Sequence, residues 1–138
     1  MIGVTIDSFG HDHGTLKEPS DITLDIRRHV LATHQIPDAE QRTGLDPDIA
    51  NAVLSAAGVA RLVDNTALLA IGLLEDVADA RARMVKIAVG DARGVHWAVS
   101  IAEEIARVLR HNHVETEVFH REIQIPDTGN CPPPPPFP

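Results

Sequence analysis

The segment VKIAVGDARGVHW, residues 85–97, decides the fold. Its first five residues are apolar and β-branched except for Lys86, and this composition predicts a buried strand. A turn containing Gly90 and Gly94 follows, and the next run, Ala98–Arg110, is amphipathic with a helical period. The predicted order is therefore strand, glycine loop and helix.

A loop of this kind places backbone N–H groups at a helix N-terminus, where the helix dipole favours a bound anion. Arg93 and His96 lie in the same segment and add donors suited to a phosphate or a carboxylate. An ordinary strand-to-helix turn would carry the same glycines, so the loop alone leaves both interpretations open.

Composition and charge narrow the class of protein. The chain of 138 residues is long enough for one domain with a single core. A net charge of −8 and a total of four aromatic residues argue against a broad nucleic-acid surface, which normally has a basic face or stacking rings. The one cysteine, Cys131, excludes an intramolecular disulfide and fits a reducing compartment. No signal peptide or membrane-spanning run is evident, so we expect a cytoplasmic protein without a membrane partner.

The sequence around the central segment predicts a further alternation of strands and helices. The first predicted helix has Asp46 as its cap and Pro47 at its first position. The predicted strands are residues 2–6, 21–26 and 114–119, and the predicted helices are residues 47–56 and 59–83, the second with a break near 64–65. Strands interleaved with helices indicate an α/β domain with a small mixed or mostly parallel sheet flanked by helices.

Two segments carry predictions about organisation. Ala67–Val77 is apolar nearly all round, which predicts deep burial or a subunit interface and therefore a homo-oligomer. Residues 126–138 include the proline run Pro132–Pro136, which favours an extended polyproline II conformation. We therefore expect residues 1–125 to form the α/β domain and residues 126–138 to form a disordered tail.

Cationic side chains follow the predicted strands. Because the carboxyl ends of parallel strands meet at one edge of a sheet, where ligands bind, we expect these groups to converge on a pocket for a small anion. The group consists of Arg27, Arg28, Arg93 and Arg121 together with His13, His96 and His120.

Five short motifs stand in a fixed order along the chain. They are Ser8-Phe9-Gly10 with His13-Gly14, then Asp25-Ile26-Arg27, then Thr43-Gly44-Leu45-Asp46, then Gly90 with Gly94 and His96, then His120-Arg121. In this order they resemble the C-terminal domain of the RapZ (YvcJ-like) RNase adapter family. The resemblance covers residues 4–122.

The resemblance implies an α/β domain similar to a subdomain of phosphofructokinase. In the full-length family the domain follows a P-loop kinase-like domain, senses glucosamine-6-phosphate and, in enterobacteria, binds small regulatory RNAs. Carried over to this sequence, the family's ligand pocket would comprise Ser8, Gly10, His13, Asp25, Arg27, Thr43, Gly44, Gly90, Asp91, Arg93, Gly94, His96, Trp97, His120 and Arg121.

The central loop departs from the family pattern. Asp91, Ala92 and Arg93 stand where the family has Cys, Thr and Gly, and Trp97 and Ala98 replace Arg and Ser. Arg93 can supply the lost positive charge from another angle. Asp91 would repel a phosphate unless it pairs with Arg93 or contacts a hydroxyl or amine of the ligand. The family's basic C-terminal extension, tied to RNA contact, is here an acidic and proline-rich tail, which argues against RNA as a partner.

Other constellations of polar residues have weaker support. The pairs His11-x-His13 and His111-x-His113 lack a third ligand, so we expect no metal. The carboxylates that could serve acid–base or nucleophilic chemistry are Asp7, Asp12, Asp25 and Asp91. Such residues more commonly cap turns and bind ligand hydroxyls, so we assign no catalytic residue and expect no cofactor.

The expected function is binding or sensing of a small phosphorylated ligand, a sugar phosphate or a nucleotide-like anion, at the strand–loop–helix site. Two alternatives remain open. One is an RNA-binding adaptor, and the other is a small phosphate-ester hydrolase or transferase.

Overall fold

The computed structural model describes residues 3–14, 19–28, 42–76 and 84–123. Within these ranges four strands alternate with three α-helices. The strands are β1 (Gly3–Gly10), β2 (Ile22–Asp25), β3 (Met84–Asp91) and β4 (Glu115–His120), and the helices are α1 (Pro47–Leu54), α2 (Val59–Asp76) and α3 (Trp97–His111). Short 3₁₀ turns, His11–His13 and Ile26–Arg28, directly follow β1 and β2.

The four strands form one parallel sheet in the order β2-β3-β1-β4. This confirms the α/β class that the sequence predicts. The register places Gly10 opposite Asp91, Ser8 opposite His120 and Asp25 opposite Gly90. All the segments that leave the sheet after a strand therefore start from the same edge, which we call the carboxyl edge.

Two strands reach further toward this edge than the sequence predicts. The predicted end of the first strand at residue 6 is wrong, because β1 continues to Gly10, paired with β3 to its end and with β4 as far as Ser8. Likewise β3 extends to Asp91. Backbone pairing with two neighbours stabilises polar residues in a strand that their side chains alone would not favour.

The helices begin where the sequence predicts. The Asp46 side chain accepts a hydrogen bond from the Asp48 N–H at 2.9 Å, and Pro47 occupies the first position of α1. The predicted break in α2 near Asp64 and Asn65 is wrong, because these two residues lie on the exposed side of a continuous helix. The part of that prediction beyond residue 76 lies outside the described residues, as does the predicted tail.

The core lies between one face of the sheet and the helices. Even-numbered residues of β1 and odd-numbered residues of β3, such as Ile6 and Ile87, pack against Ile101 and Ile105 of α3. Of the two alternatives for residues 67–77, deep burial within the domain does not hold, because Leu68 is 66% exposed and Leu69 is 51% exposed. In the described part of the chain no single helix has the length and apolar composition to cross a membrane, although α1 and α2 meet that test together as a pair bent by 89°.

Candidate ligand site at the carboxyl edge

The loop after β3 is built around its own carboxylate. Asp91, the last residue of β3, is only 8% exposed. One of its carboxylate oxygens accepts a hydrogen bond from the Gly94 N–H, and the other accepts from the Ala98 N–H at 3.1 Å. The N-terminus of α3 thus already faces a negative charge, which the helix dipole stabilises. The expectation that the Gly94 N–H donates to a ligand needs correction, since in the structure it donates to Asp91.

Glycines hold this loop against the end of β1. Gly94 has a φ of +77°, and a Cβ atom there would lie 2.5 Å from both the Gly10 nitrogen and the Phe9 carbonyl carbon. A Cβ atom on Gly10 would lie 2.3 Å from the backbone carbonyl of Arg93. Both positions therefore require glycine. The two loops that follow β1 and β3 are in direct backbone contact.

One hydrogen bond between these loops brings the chain segments of His13 and Arg93 alongside each other. The Asp12 N–H donates to the Ala92 carbonyl oxygen at 2.8 Å. His13 and Arg93 each lie one residue along the chain from this bond, and both are exposed. Within the described ranges the side chains of His13 and Arg93 form no hydrogen bond or ion pair. We call these two residues the rim pair.

The β2 side of the edge carries charges that neutralise each other. The Arg27 guanidinium donates to both carboxylate oxygens of Asp25, at 2.9 and 2.8 Å. These hydrogen bonds are the main reason that the pKa of Asp25 falls to about 2. The predicted site residues Asp25 and Arg27 are therefore adjacent to the rim but paired with each other.

His11 is a residue of the edge that the sequence analysis considered only as a metal ligand. Its ring stacks at a tilt on Phe9, with centroids 4.7 Å apart, and its Nε2 atom lies 3.5 Å from Asp25 Oδ1. A Cβ atom on Gly90 would collide with both rings, which explains the glycine there. In the sequence, the one indication that His11 belongs to this edge is its position directly after the Ser8-Phe9-Gly10 motif. In the described ranges no group of three His, Cys, Asp or Glu residues is placed to hold a metal ion.

A partly buried chain of hydrogen bonds joins β1, β4 and α3. Ser8 Oγ lies 2.6 Å from His120 Nδ1, and His120 Nε2 lies 2.6 Å from Glu103 Oε2. The hydrogen bond from His120 lowers the pKa of Glu103 below its ordinary value of 4.5. Sequence analysis missed Glu103 because the helical spacing of α3 assigns it to the solvent side.

This chain resembles the order of groups in a catalytic triad, but its burial favours a positioning role. Ser8 is fully buried, at 0% exposure, so its hydroxyl has no open approach for a substrate. The predicted site residues Ser8 and His120 therefore lie together beneath the edge rather than on it. Their hydrogen bonds fix β4 to the end of β1.

The Thr43-Gly44 motif lies at the first turn of α3. Thr43 Oγ1 accepts from the Leu45 N–H at 3.1 Å and so forms a tight turn. The Gly44 N–H donates to the Val95 carbonyl, and the Gly44 carbonyl accepts from Ser100 Oγ, both at 2.8 Å. This motif therefore clamps the start of the helix.

Two predicted site residues at the start of α3 also have structural contacts. His96 Nε2 lies 2.8 Å from the Arg42 carbonyl oxygen, a distance that allows the ring N–H to donate. Trp97 is half-buried and packs against the hydrophobic core. Both side chains therefore stabilise the loop through contacts with the rest of the domain.

Arg121 does not share the surface of the rim pair. Its Nε lies 3.3 Å from Asp7 Oδ1, on the face of the sheet opposite the core. There it lines an open cavity of about 470 Å³ together with Thr5, Asp7, Met84, Lys86 and Phe119. Because successive residues of a strand point to opposite faces, His120 and Arg121 lie on different sides of the sheet. The expectation that Arg121 converges with Arg93 on one pocket is therefore wrong.

The chain matches a known protein family and several curated relatives over the region that forms the α/β fold. Residues 2–124 match the RapZ C-terminal domain family. A nucleotide-binding protein from Mycobacterium avium is 31% identical over 126 residues, covering 88% of this chain and 42% of its own length. One from Streptomyces coelicolor is 31% identical over 119 residues, covering 86% of this chain and 39% of its own length. One from Paramagnetospirillum magneticum is 30% identical over 122 residues, covering 88% of this chain and 39% of its own length.

The chain spans about two-fifths of the length of these relatives, at 42%, 39% and 39%. The matched part is nearly all of the region that contains the sheet and its helices.

Proposed function

The chain belongs to the RapZ C-terminal domain family, and we propose that it binds a small phosphorylated molecule at the carboxyl edge of its sheet, as a sensor or regulator. The observation that carries the proposal is the rim pair. His13 and Arg93 are exposed, each follows in the chain a residue of the Asp12–Ala92 hydrogen bond, and neither side chain has a partner among the described residues. The other cation of this edge with a well-defined pairing, Arg27, is already neutralised.

The phosphate is placed on the outside of the α3 loop. The inner donors, the N–H groups of Gly94 and Ala98, are used by Asp91. The N–H groups of Arg93 and Val95 have no acceptor within the described residues. A phosphate there would accept from these N–H groups and from the Arg93 guanidinium, and charged hydrogen bonds of this kind are the strong ones.

The rest of the ligand is expected to carry hydroxyl groups. Asp12 is exposed beside the rim pair, and one Glu122 oxygen accepts from the Gly10 N–H at 3.1 Å while the other remains available. Carboxylates accept hydrogen bonds from sugar hydroxyls, whereas they repel a second phosphate. The relatives are named nucleotide-binding proteins. A nucleoside monophosphate or a sugar phosphate fits this combination better than a polyphosphate does.

Neither alternative function gains support from the site. A hydrolase would need an accessible nucleophile, and Ser8 is buried while Asp91 already accepts two backbone hydrogen bonds. An RNA adaptor would need a basic surface, and the net charge of the chain is −8. We therefore keep binding without catalysis as the proposed activity.

The test is a thermal-shift screen followed by calorimetry. The probes are inorganic phosphate, adenosine monophosphate, glucose-6-phosphate and a short structured RNA, each at matched ionic strength. A ligand that binds only the folded state raises the melting temperature, and we expect this for a phosphorylated probe and not for a chloride control. Stabilisation by RNA alone would instead support the adaptor, and no stabilisation by any phosphorylated probe would overturn the proposal.

A further inference from the structure

The His11 side chain reaches from the end of β1 to the end of β2. Its Nε2 atom lies 3.5 Å from Asp25 Oδ1. The strand between β1 and β2 is β3, which places Gly90 opposite Asp25. A Cβ atom on Gly90 would lie 2.7 Å from His11 Nε2, so the ring passes close over this glycine. The ends of three neighbouring strands therefore fix the position of the His11 ring.

The Nε2 atom of His11 is buried and has no hydrogen-bond partner among the described residues. Its distance of 3.5 Å from Asp25 Oδ1 exceeds the usual N–H···O distance of about 2.7–3.2 Å. In a neutral ring this atom carries either a lone pair, which the carboxylate repels, or an N–H that is unpaired at this distance. A protonated ring carries an N–H at both nitrogens and offers Asp25 a charged donor. Protonation would therefore complete a hydrogen bond that the neutral ring leaves unmade.

The Asp25 carboxylate keeps its charge over the whole pH range in which a histidine titrates. The pKa of Asp25 is about 2, chiefly because the Arg27 side chain donates hydrogen bonds to it. A histidine ordinarily changes its charge between about pH 5 and about pH 8. In this range the pair of Asp25 and Arg27 has no net charge, and protonation of His11 leaves two cations sharing one carboxylate.

We propose that protonation of His11 regulates the affinity of the carboxyl edge for its ligand. The protonated ring donates to Asp25 Oδ1, which also accepts from Arg27 Nε, and the three side chains together gain one positive charge. A phosphate group at the rim pair is therefore bound more tightly in acid than in alkali. This inference rests on the proposed ligand site and assigns its regulation.

The charged groups around His11 connect it with the rim pair. They are Asp25 and Arg27 on the β2 side, Asp12 and His13 in the same 3₁₀ turn, and Arg93 in the loop after β3. The pKa of Arg27 is raised mainly by its hydrogen bond to Asp25, and the Asp12 carboxylate adds to this effect. Asp12 also donates its backbone N–H to Ala92, next to Arg93. The turn that begins with His11 therefore lies between the charges of the β2 side and the rim pair.

The first experiment needs no ligand and follows the full chain by NMR from about pH 8 to about pH 5.5, the range in which histidine titrates. The ¹³C shift of the Asp25 carboxyl group should change with the same midpoint as the ring protons of His11, although Asp25 itself stays ionised. In His11→Gln, which keeps a donor but cannot gain a charge, this change should disappear. An Asp25 carboxyl shift that stays constant while His11 titrates would overturn the proposal.

The second experiment measures the affinity for adenosine monophosphate by calorimetry over the same pH range. The affinity of the wild type should rise as pH falls. In His11→Gln this rise should be about three-fold smaller, the effect of one charge removed at a distance of about 8 Å near a solvated surface. Titration of the probe and of His13 affects both proteins equally, so the difference between them reports on His11.

The matched control is His111→Gln, which removes an exposed histidine at the end of α3 and should keep the wild-type rise. Urea denaturation of each variant shows that the fold is kept. The same rise in the wild type and in His11→Gln would overturn the role of His11 while leaving the ligand site in place. Failure of every phosphorylated probe to bind the wild type at any pH would instead overturn the proposed function, and the regulation would fall with it.

Discussion

Two sets of polar groups at the carboxyl edge differ in their burial and in their hydrogen-bond partners. Asp91 is buried, and each of its oxygens accepts a backbone N–H of the α3 loop. The rim pair, His13 and Arg93, is exposed and has no partner within the described ranges. The same loop therefore contains one group that completes the fold and one that remains available for a ligand.

A helix N-terminus is therefore not a ligand site merely because it has an anion-binding geometry. A carboxylate of the chain itself can meet the dipole and the unpaired N–H groups of α3. Ligand binding then depends on groups that the fold leaves unsatisfied. Replacing one member of each set should therefore separate an effect on stability from an effect on affinity.

The largest effect is expected for Asp91→Ala, which removes the acceptor of two N–H groups. We expect a loss of about 3 kcal/mol in the free energy of unfolding, since hydrogen bonds to a charged group contribute about 1.5–3 kcal/mol each. Urea denaturation measures this loss, with Asp12→Ala as the exposed control. Added phosphate should stabilise the variant more than the wild type, because it can enter the vacated loop. A loss close to that of the control would show that Asp91 is not structural.

The next effect is on binding rather than on folding. Arg93→Ala should lower the affinity for the tightest-binding phosphorylated probe roughly ten-fold, which is the loss expected for one charged hydrogen bond. Its free energy of unfolding should change by less than about 0.5 kcal/mol, as is usual for an exposed side chain. Calorimetry and urea denaturation on the same preparation separate the two quantities. Equal affinity for the wild type and the variant would place the phosphate elsewhere.

A smaller, pH-dependent effect is expected for Glu103→Gln. The pKa of Glu103 is lowered in the folded chain by its hydrogen bond to His120. Its carboxylate therefore stabilises the fold above the ordinary pKa of 4.5, and this contribution is lost as pH falls through the lowered folded pKa. At neutral pH the variant should lose about 1 kcal/mol, a modest value because Glu103 is partly exposed.

The control for Glu103→Gln is Glu117→Gln, which alters an exposed residue of β4. The stability gap between the wild type and Glu103→Gln should close in acid, whereas Glu117→Gln should show little gap at either pH. A gap that persists unchanged in acid would contradict the role of the Glu103 carboxylate.

The smallest effect is expected for Arg121→Ala. Its side chain pairs with Asp7 on the other face of the sheet, at 3.3 Å, and both groups are partly exposed. Affinity for a phosphorylated probe should change less than about two-fold, because the pair is screened and away from the rim. A ten-fold loss here, equal to that of Arg93→Ala, would show that the ligand spans both faces.

Much of the fold follows from the sequence. The apolar run of β3 and the cap at Asp46 predict a strand and a helix that the structure confirms. The motif order predicts the family, which the match over residues 2–124 confirms. The end of β1 could not be predicted, because pairing with neighbouring strands, with β4 as far as Ser8 and with β3 as far as Gly10, is a tertiary effect.

The site is harder to predict than the fold because it depends on the direction in which each side chain points. Strand alternation sends His120 to the core side and Arg121 to the open side, although the two are adjacent in sequence. The sequence shows that Asp91 would repel a bound phosphate. That the Asp91 carboxylate accepts hydrogen bonds from two backbone N–H groups is evident only from the three-dimensional structure of the loop.

The most direct test of the central claim is a titration of the ¹⁵N-labelled chain with inorganic phosphate, followed by amide chemical shifts at constant ionic strength. Phosphate binding by Arg93 on this loop predicts saturable shifts for the amides of Arg93 and Val95, a smaller shift for His13, and little change at Gly94 and Ala98, whose N–H groups donate to Asp91. The shifts should vanish in Arg93→Ala. Saturable shifts centred on Gly94 and Ala98, or shifts that persist in Arg93→Ala, would contradict it.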